Sequence, residues 1–328
     1  MMTRRMILFA FAALIASSSQ LLAQPAKVLP RVAMLFPGSP AQHNELVQAF
    51  LQAMRENGYV DGRDFVFDLR YVGTSGDELD RALNELLPIR PTVIVTIGSQ
   101  GAWAAKKATS TIPIVMATVA DPVGQGLVAS LARPEGNLTG NAILTEEVIA
   151  KRLELLHELL PKARRIGALG NWSGSPMAAI VSIRLESAAK QLGVTLLRFD
   201  AASSSAMDVA LDEIARQRPE ALMVGQDNVL WLTRSKVAQS MSRYRIPAIY
   251  AFKEAVAEGG LMSYANSTGA MFRRAAVFVA RILKGGRPSD LPVEQATTFE
   301  LVINLKTAKA LRLTIPPSLL LRADQVIE

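Results

Sequence analysis

The chain has 328 residues, a formal net charge of +7 and no cysteine. That length predicts about two domains, each large enough for its own core. The missing thiols exclude disulfides, cysteine-bound zinc, iron–sulfur clusters, thiol catalysis and an N-terminal lipidated cysteine. His43 and His157 are the only imidazoles, so no multi-histidine metal site and no cofactor is expected. The basic pairs Lys106-Lys107, Arg164-Arg165 and Arg273-Arg274 are interleaved with acids, without an aromatic-plus-basic run. They read as solvated faces and not as a nucleic-acid surface.

Arg4 and Arg5 precede an almost wholly apolar stretch, Met6–Ala16, which is followed by Ser17-Ser18-Ser19-Gln20 and Leu21-Leu22-Ala23. Basic, apolar and small-residue segments in that order predict a secretory signal peptide over 1–23, cleaved near Ala23. The apolar run is well short of the roughly 20 residues a bilayer requires. A periplasmic destination is therefore expected. Thr3–Leu8 partly fits a twin-arginine signal, so the export route stays open.

From Val28 onward, short β-branched runs alternate with amphipathic stretches. Strands are predicted over 31–36, 65–71, 92–97 and 114–118, with helices over 41–57, 77–87 and 102–109 between them. The same order then recurs: strands over 165–169, 195–199, 221–224 and 248–250, and helices over 177–192, 207–216 and 229–244. Matched features lie a similar distance apart: Arg31 to Arg165 is 134 residues, Gly58 to Gly193 is 135, Pro91 to Pro219 is 128 and Pro113 to Pro247 is 134. Duplicated units of this kind predict an α/β protein of two doubly wound parallel-sheet domains. After Tyr250 the order changes to a strand over 259–264, a helix over 271–283, an extended run over 292–304 and a short helix over 305–311. This tail is expected to cross the domain boundary several times and form a hinge. The N-terminal lobe would then hold 28–142 and 266–297, and the C-terminal lobe 143–265 and 298–328.

Ligands of open α/β sheets bind beyond the carboxyl ends of the strands. Those ends carry Ser39, Ser99, Gln100, Thr118, Asp121, Asn171, Trp172, Asp227, Asn228, Tyr250 and Phe252, which are the predicted ligand-binding residues. Gly98-Ser99 ahead of a helix offers free N–H groups to a carboxylate or phosphate. Asp227 suits an ammonium group, and Trp172, Tyr250 and Phe252 suit an aromatic wall. Ser99 and Asn228 also read as helix caps, and Trp103 and Trp231 as packing inside helices. Gly124–Ala129 has the spacing of a dinucleotide motif but does not lie at a first strand–helix junction. Gly98–Gly101 is not a nucleophile elbow, and no cleft histidine accompanies it. No catalytic residues are assigned, and an enzyme is not expected.

The segment Thr111–Gly140, with its Asp121-Pro122-Val123 to Thr139-Gly140 block, closely resembles the periplasmic substrate-binding components of ABC transporters. So do Ile246–Phe252, Gly259–Tyr264 and Phe299–Ala310. The resemblance covers nearly all of the chain after the signal. Its better-understood branch is similar to tryptophan- and tyrosine-binding proteins. It implies a type I periplasmic-binding fold closing on a small, amino-acid-like ligand, a membrane permease with its ATPase as partners, and a monomer. By position, Ser99, Asp121 and Asp227-Asn228 match the family's loop motifs. Glu135 and Gly101 depart from its usual Gly and Pro, and Gln226 from the Thr of the aromatic amino-acid branch. A sensor that presents its ligand to a membrane kinase or chemoreceptor would use the same cleft.

Overall fold

The computed structural model describes residues 28–73, 75–143, 146–175 and 177–328. The signal-peptide expectation falls outside the described residues.

The first unit runs β1 (Arg31–Pro37), α1 (Pro40–Glu56), β2 (Val66–Val72), α2 (Gly76–Leu86), β3 (Val93–Ile97), α3 (Gly98–Ala108), β4 (Ile114–Ala120) and β5 (Leu138–Ile143). After α4 (Glu146–Leu159) comes the second: β6 (Arg165–Gly170), α5 (Ala178–Leu192), β7 (Thr195–Asp200), α6 (Ser204–Gln217), β8 (Ala221–Val224), α7 (Asn228–Leu232), α8 (Arg234–Tyr244), β9 (Ala248–Tyr250), α9 (Lys253–Ala257) and β10 (Met262–Asn266). The tail holds α10 (Thr268–Leu283), β11 (Glu294–Ala296), β12 (Phe299–Asn304), α11 (Leu305–Ala310), α12 (Pro317–Leu320) and β13 (Gln325–Ile327).

The sheets are ordered β2-β1-β3-β4-β5-β11 and β7-β6-β8-β9-β10-β12-β13. All neighbours are parallel except β10 and β12. The duplicated pattern is thus a repeated 2-1-3-4-5 strand order, a doubly wound arrangement. The chain passes between the sheets three times: from β5 to α4, from β10 to α10, and from β11 to β12. Each unit lends its closing helix to the other, α4 packing on α5 and α10 lying along α1.

Side-chain alternation on the strands feeds separate cores. Val32, Met34 and Phe36 of β1 point toward α1 and α10, while Ala33 and Leu35 point toward α2 and α3. The core beneath α1 and α10 continues through Phe36 and Phe272 into the second unit at Leu230, Trp231 and Phe252, so one apolar cluster crosses the cleft. The caps are local. Ser75 and Glu78 form a reciprocal capping box on α2, and Ser203 accepts from Ala206 N–H on α6.

Several elements differ from expectation: β5, α4, α9 and β13 stand where no element is predicted, and one helix is split. The helix expected over 229–244 is two helices, broken at Thr233, whose hydroxyl bonds back to the Val229 carbonyl at 2.7 Å. Strand β5 enters through Glu135 and Gly136, both at positive φ. No helix among the described residues is long and apolar enough to cross a membrane.

Candidate functional site

The carboxyl ends of both sheets converge on one cleft, which encloses a cavity of about 150 Å³. On the side of the first sheet, β3 runs directly into α3. The N–H groups of its first turn, at Ser99 and Gln100, have no intrahelical acceptor. Gly98 makes the corner at φ +75°, and its N–H donates to Thr118 Oγ1 at 3.3 Å. The cap position belongs to Ile97, so Ser99 is not a helix cap. Its hydroxyl instead accepts from Gln125 Nε2 at 2.8 Å, and that amide also donates to the Ala120 carbonyl.

On the side of the second sheet, Asp227 caps α7 by accepting from Val229 N–H at 2.8 Å, and Asn228 is the first helical residue. Burial raises the Asp227 pKa above the usual aspartate value. The Val229 N–H bond and the neighbouring Asn171 side chain oppose the rise. Asn171 is itself buried, and its Oδ1 accepts from Gly174 N–H at 2.9 Å.

Arg152, from the middle of α4, is 2% exposed and also lines the cavity. Its Nε donates to the Tyr264 carbonyl at 2.7 Å and its Nη2 to Gln226 Oε1 at 3.4 Å. Desolvation pushes its pKa down to about 9, which leaves it charged at neutral pH.

Much of the remaining wall is apolar and aromatic. Phe36 stacks on Phe272 at 5.4 Å between centroids, and Trp231 meets Phe252 edge-on at 4.8 Å and 85°. Half-buried Trp172 faces the cavity, donates from Nε1 to the Ala168 carbonyl at 3.2 Å and carries the Arg198 guanidinium over its ring. The two sides touch across the cleft. Gln100 Nε2 reaches the Gly174 carbonyl at 3.5 Å, and a Cβ placed on Gly98 would stand 2.7 Å from Asn228 Nδ2.

Ser99, Gln100, Thr118, Asn171, Trp172, Asp227, Asn228 and Phe252 therefore share one cavity wall. Three expected residues do not. Tyr250 is a correction: alternation on β9 turns its ring into the core, where burial pushes its phenol pKa up. Asp121 is spent locally, its carboxylate accepting from Gly124 N–H at 2.8 Å in a turn with φ +36°. Ser39 stands exposed ahead of α1, outside the wall. Gln226, in the loop ahead of Asp227, lines it too, and Arg152, Phe36, Trp231 and Phe272 join the wall without having been singled out for it. Trp231 combines both roles, packing against Phe252 and lining the cavity. Among the described residues, no group of His, Asp and Glu side chains has the makings of a metal site.

Residues 32–327 match the family model described as ABC transporter substrate binding protein. A tyrosine-binding protein of Clostridioides difficile is 28% identical over 264 residues, covering 80% of this chain and 75% of that relative. The ABC domain from Streptococcus pneumoniae in complex with L-Trp superposes with a TM-score of 0.81 at 26% identity, covering 90% of this chain and all of that one. A conserved domain protein from Vibrio cholerae does so at 0.82 and 27%, covering 92% of this chain and all of that one. The fold is that of type I periplasmic binding proteins.

Proposed function

Since the chain belongs to the ABC transporter substrate-binding protein family, we propose that it captures a small amino-acid-like ligand between its lobes and delivers it to the permease of an ABC importer. The work is binding and release by hinge closure, with no bond chemistry. Asp227 pairs with the ligand's ammonium group, the first turn of α3 with Ser99 offers hydrogen bonds to acceptor oxygens, and the aromatic walls cover an apolar side chain. The protein acts as a monomer in the periplasm, with the permease and its ATPase as partners.

The observation that supports this reading is the cavity itself. It lies between lobes that are joined by three chain passages, and it sets a buried carboxylate beside Trp172, Trp231 and Phe252. The tyrosine-binding relative and the L-Trp-bound neighbour point to the same ligand class. Titration calorimetry against L-amino acids, with mass spectrometry of molecules released on denaturation, tests it. An aromatic or apolar amino acid is expected to give saturable heat. A protein that neither carries a small molecule nor binds any member of the panel would sink the reading.

A further inference from the structure

A guanidinium removed from water is costly unless its charge is paired and its donors are bonded. Arg152 meets only half of that requirement. Both of its hydrogen bonds go to neutral acceptors, the Tyr264 carbonyl and the Gln226 amide oxygen. Among the described residues no carboxylate lies within 4.0 Å of it. Among the described residues its Nη1 donors have no acceptor, and it borders the cavity.

Among the described lining residues, Arg152 is the only base and Asp227 the only acid. The two are tied together through the chain, since Gln226, which holds Arg152 through its side chain, immediately precedes Asp227. The wall thus presents one fixed cation and one fixed anion in an otherwise mostly apolar enclosure, the complement of a zwitterion.

We infer that Arg152 is the anion-pairing residue of the cleft and receives a carboxylate of the ligand. This rests on the ligand-binding reading above and adds the group that recognises the acid. A planar guanidinium held at Nε and one Nη2 hydrogen is pre-oriented to offer its remaining N–H groups to a carboxylate. The carboxylate has two possible sources, the α-carboxylate or an acidic side chain, and the test separates them.

The full chain is titrated with L-tryptophan, L-tyrosine, L-leucine and L-glutamate. Each binder is then compared with its α-amide, and L-glutamate also with L-glutamine. In the parent protein, converting the recognised acid to its amide is expected to weaken binding by about 100-fold. A loss with α-amides assigns the α-carboxylate, and a loss confined to glutamine against glutamate assigns the side chain. Arg152→Met is expected to lose about 100-fold toward the acid and to bind the amide as the parent does. Arg152→Lys, which keeps the charge but not the fork, is expected to recover part of the loss.

The inference is overturned if acid and amide bind the parent alike, or if Arg152→Met weakens both equally. Should Arg152→Met fail to fold, the acid-to-amide comparison in the parent decides. If no panel member binds, the molecules released on denaturation decide. A co-purifying compound without a carboxylate overturns the role of Arg152 and leaves ligand binding intact. An empty protein that binds nothing removes both.

Discussion

The two lobes repeat one strand order, yet the loops at matched strand ends differ in chemistry. After β3 the first lobe offers Gly98-Ser99-Gln100, and after β8 the second offers Gln226-Asp227-Asn228. The end of β1 carries Pro37-Gly38-Ser39, and after β6 stands Asn171-Trp172-Ser173. The shared topology delivers the same backbone asset twice, a helix start aimed at the cleft. In the first lobe small residues leave the α3 start open to a ligand, whereas in the second Asp227 fills the α7 start with its own carboxylate. The side-chain charges of the wall, Asp227 and Arg152, both come from elements packed in the second lobe. The first lobe lines the cleft with small residues and N–H donors, and the second with both charged side chains.

The largest expected effect therefore lies in the second lobe. Asp227→Ala should weaken an ammonium-bearing ligand by about 100-fold in calorimetry, because it leaves a desolvated cation unpaired. Unchanged affinity would remove Asp227 from the site. The pH profile follows from the same residue. With its pKa raised by burial, Asp227 takes up a proton at a higher pH than an exposed aspartate does. On acidification, affinity for an ammonium ligand should begin to fall at a higher pH than an exposed aspartate would dictate. The sign for the empty protein is opposite. Its folded state binds that proton more readily than the unfolded chain, so this group favours folding as pH falls through its raised pKa. An Asp227→Asn variant should flatten the binding profile; a parent profile that is already flat would contradict the assignment.

A smaller effect is expected in the first lobe. Gly98→Ala adds a Cβ at a positive φ, 2.7 Å from Asn228 Nδ2 across the cleft. The backbone strain acts wherever the lobes stand, but the contact acts only when they are together. Affinity should fall by about tenfold, and the double variant with Asn228→Ala should recover part of it. Loss of thermal stability with no loss of affinity would show that the contact is not needed for closure.

Several of these features were readable from the chain alone. The duplicated unit shows in its punctuation, because Gly and Pro recur where strands and helices end, and strand ends place a site in any doubly wound sheet. Arg152 was not readable. Lys151-Arg152-Leu153-Glu154 looks like a solvated helix turn, and only the passage of the chain after β5 lays that face of α4 against β10. Tyr250 failed for a local reason, since on a strand whose residues alternate faces a neighbouring position decides between core and wall. Trp231 was taken as packing because a ring edge-on to Phe252 inside a helix has no signature that separates core from cavity.

The subtlest contrast between the lobes lies at the entry to β5 and β10. Glu135 and Gly259 each stand three residues ahead of these matched strands, and both have positive φ, +56° and +105°. Nothing would touch a Cβ at Gly259, so the second lobe uses glycine there for backbone freedom alone. The first lobe puts a glutamate at the corresponding position, followed by Gly136 also at positive φ, and a non-glycine residue in the left-handed region costs about 1 kcal/mol. Glu135→Gly should remove that cost, offset in part by the greater freedom of glycine in the unfolded chain. A gain of up to about 1 kcal/mol is expected, seen as a rise of roughly 2 °C in the melting temperature. Gly259→Ala should lower it by a similar amount. Neither turn borders the cavity, so ligand affinity should stay unchanged in both variants. If Glu135→Gly instead destabilises the protein, the glutamate side chain contributes something its backbone conformation does not explain, and the equivalence of the two turns fails.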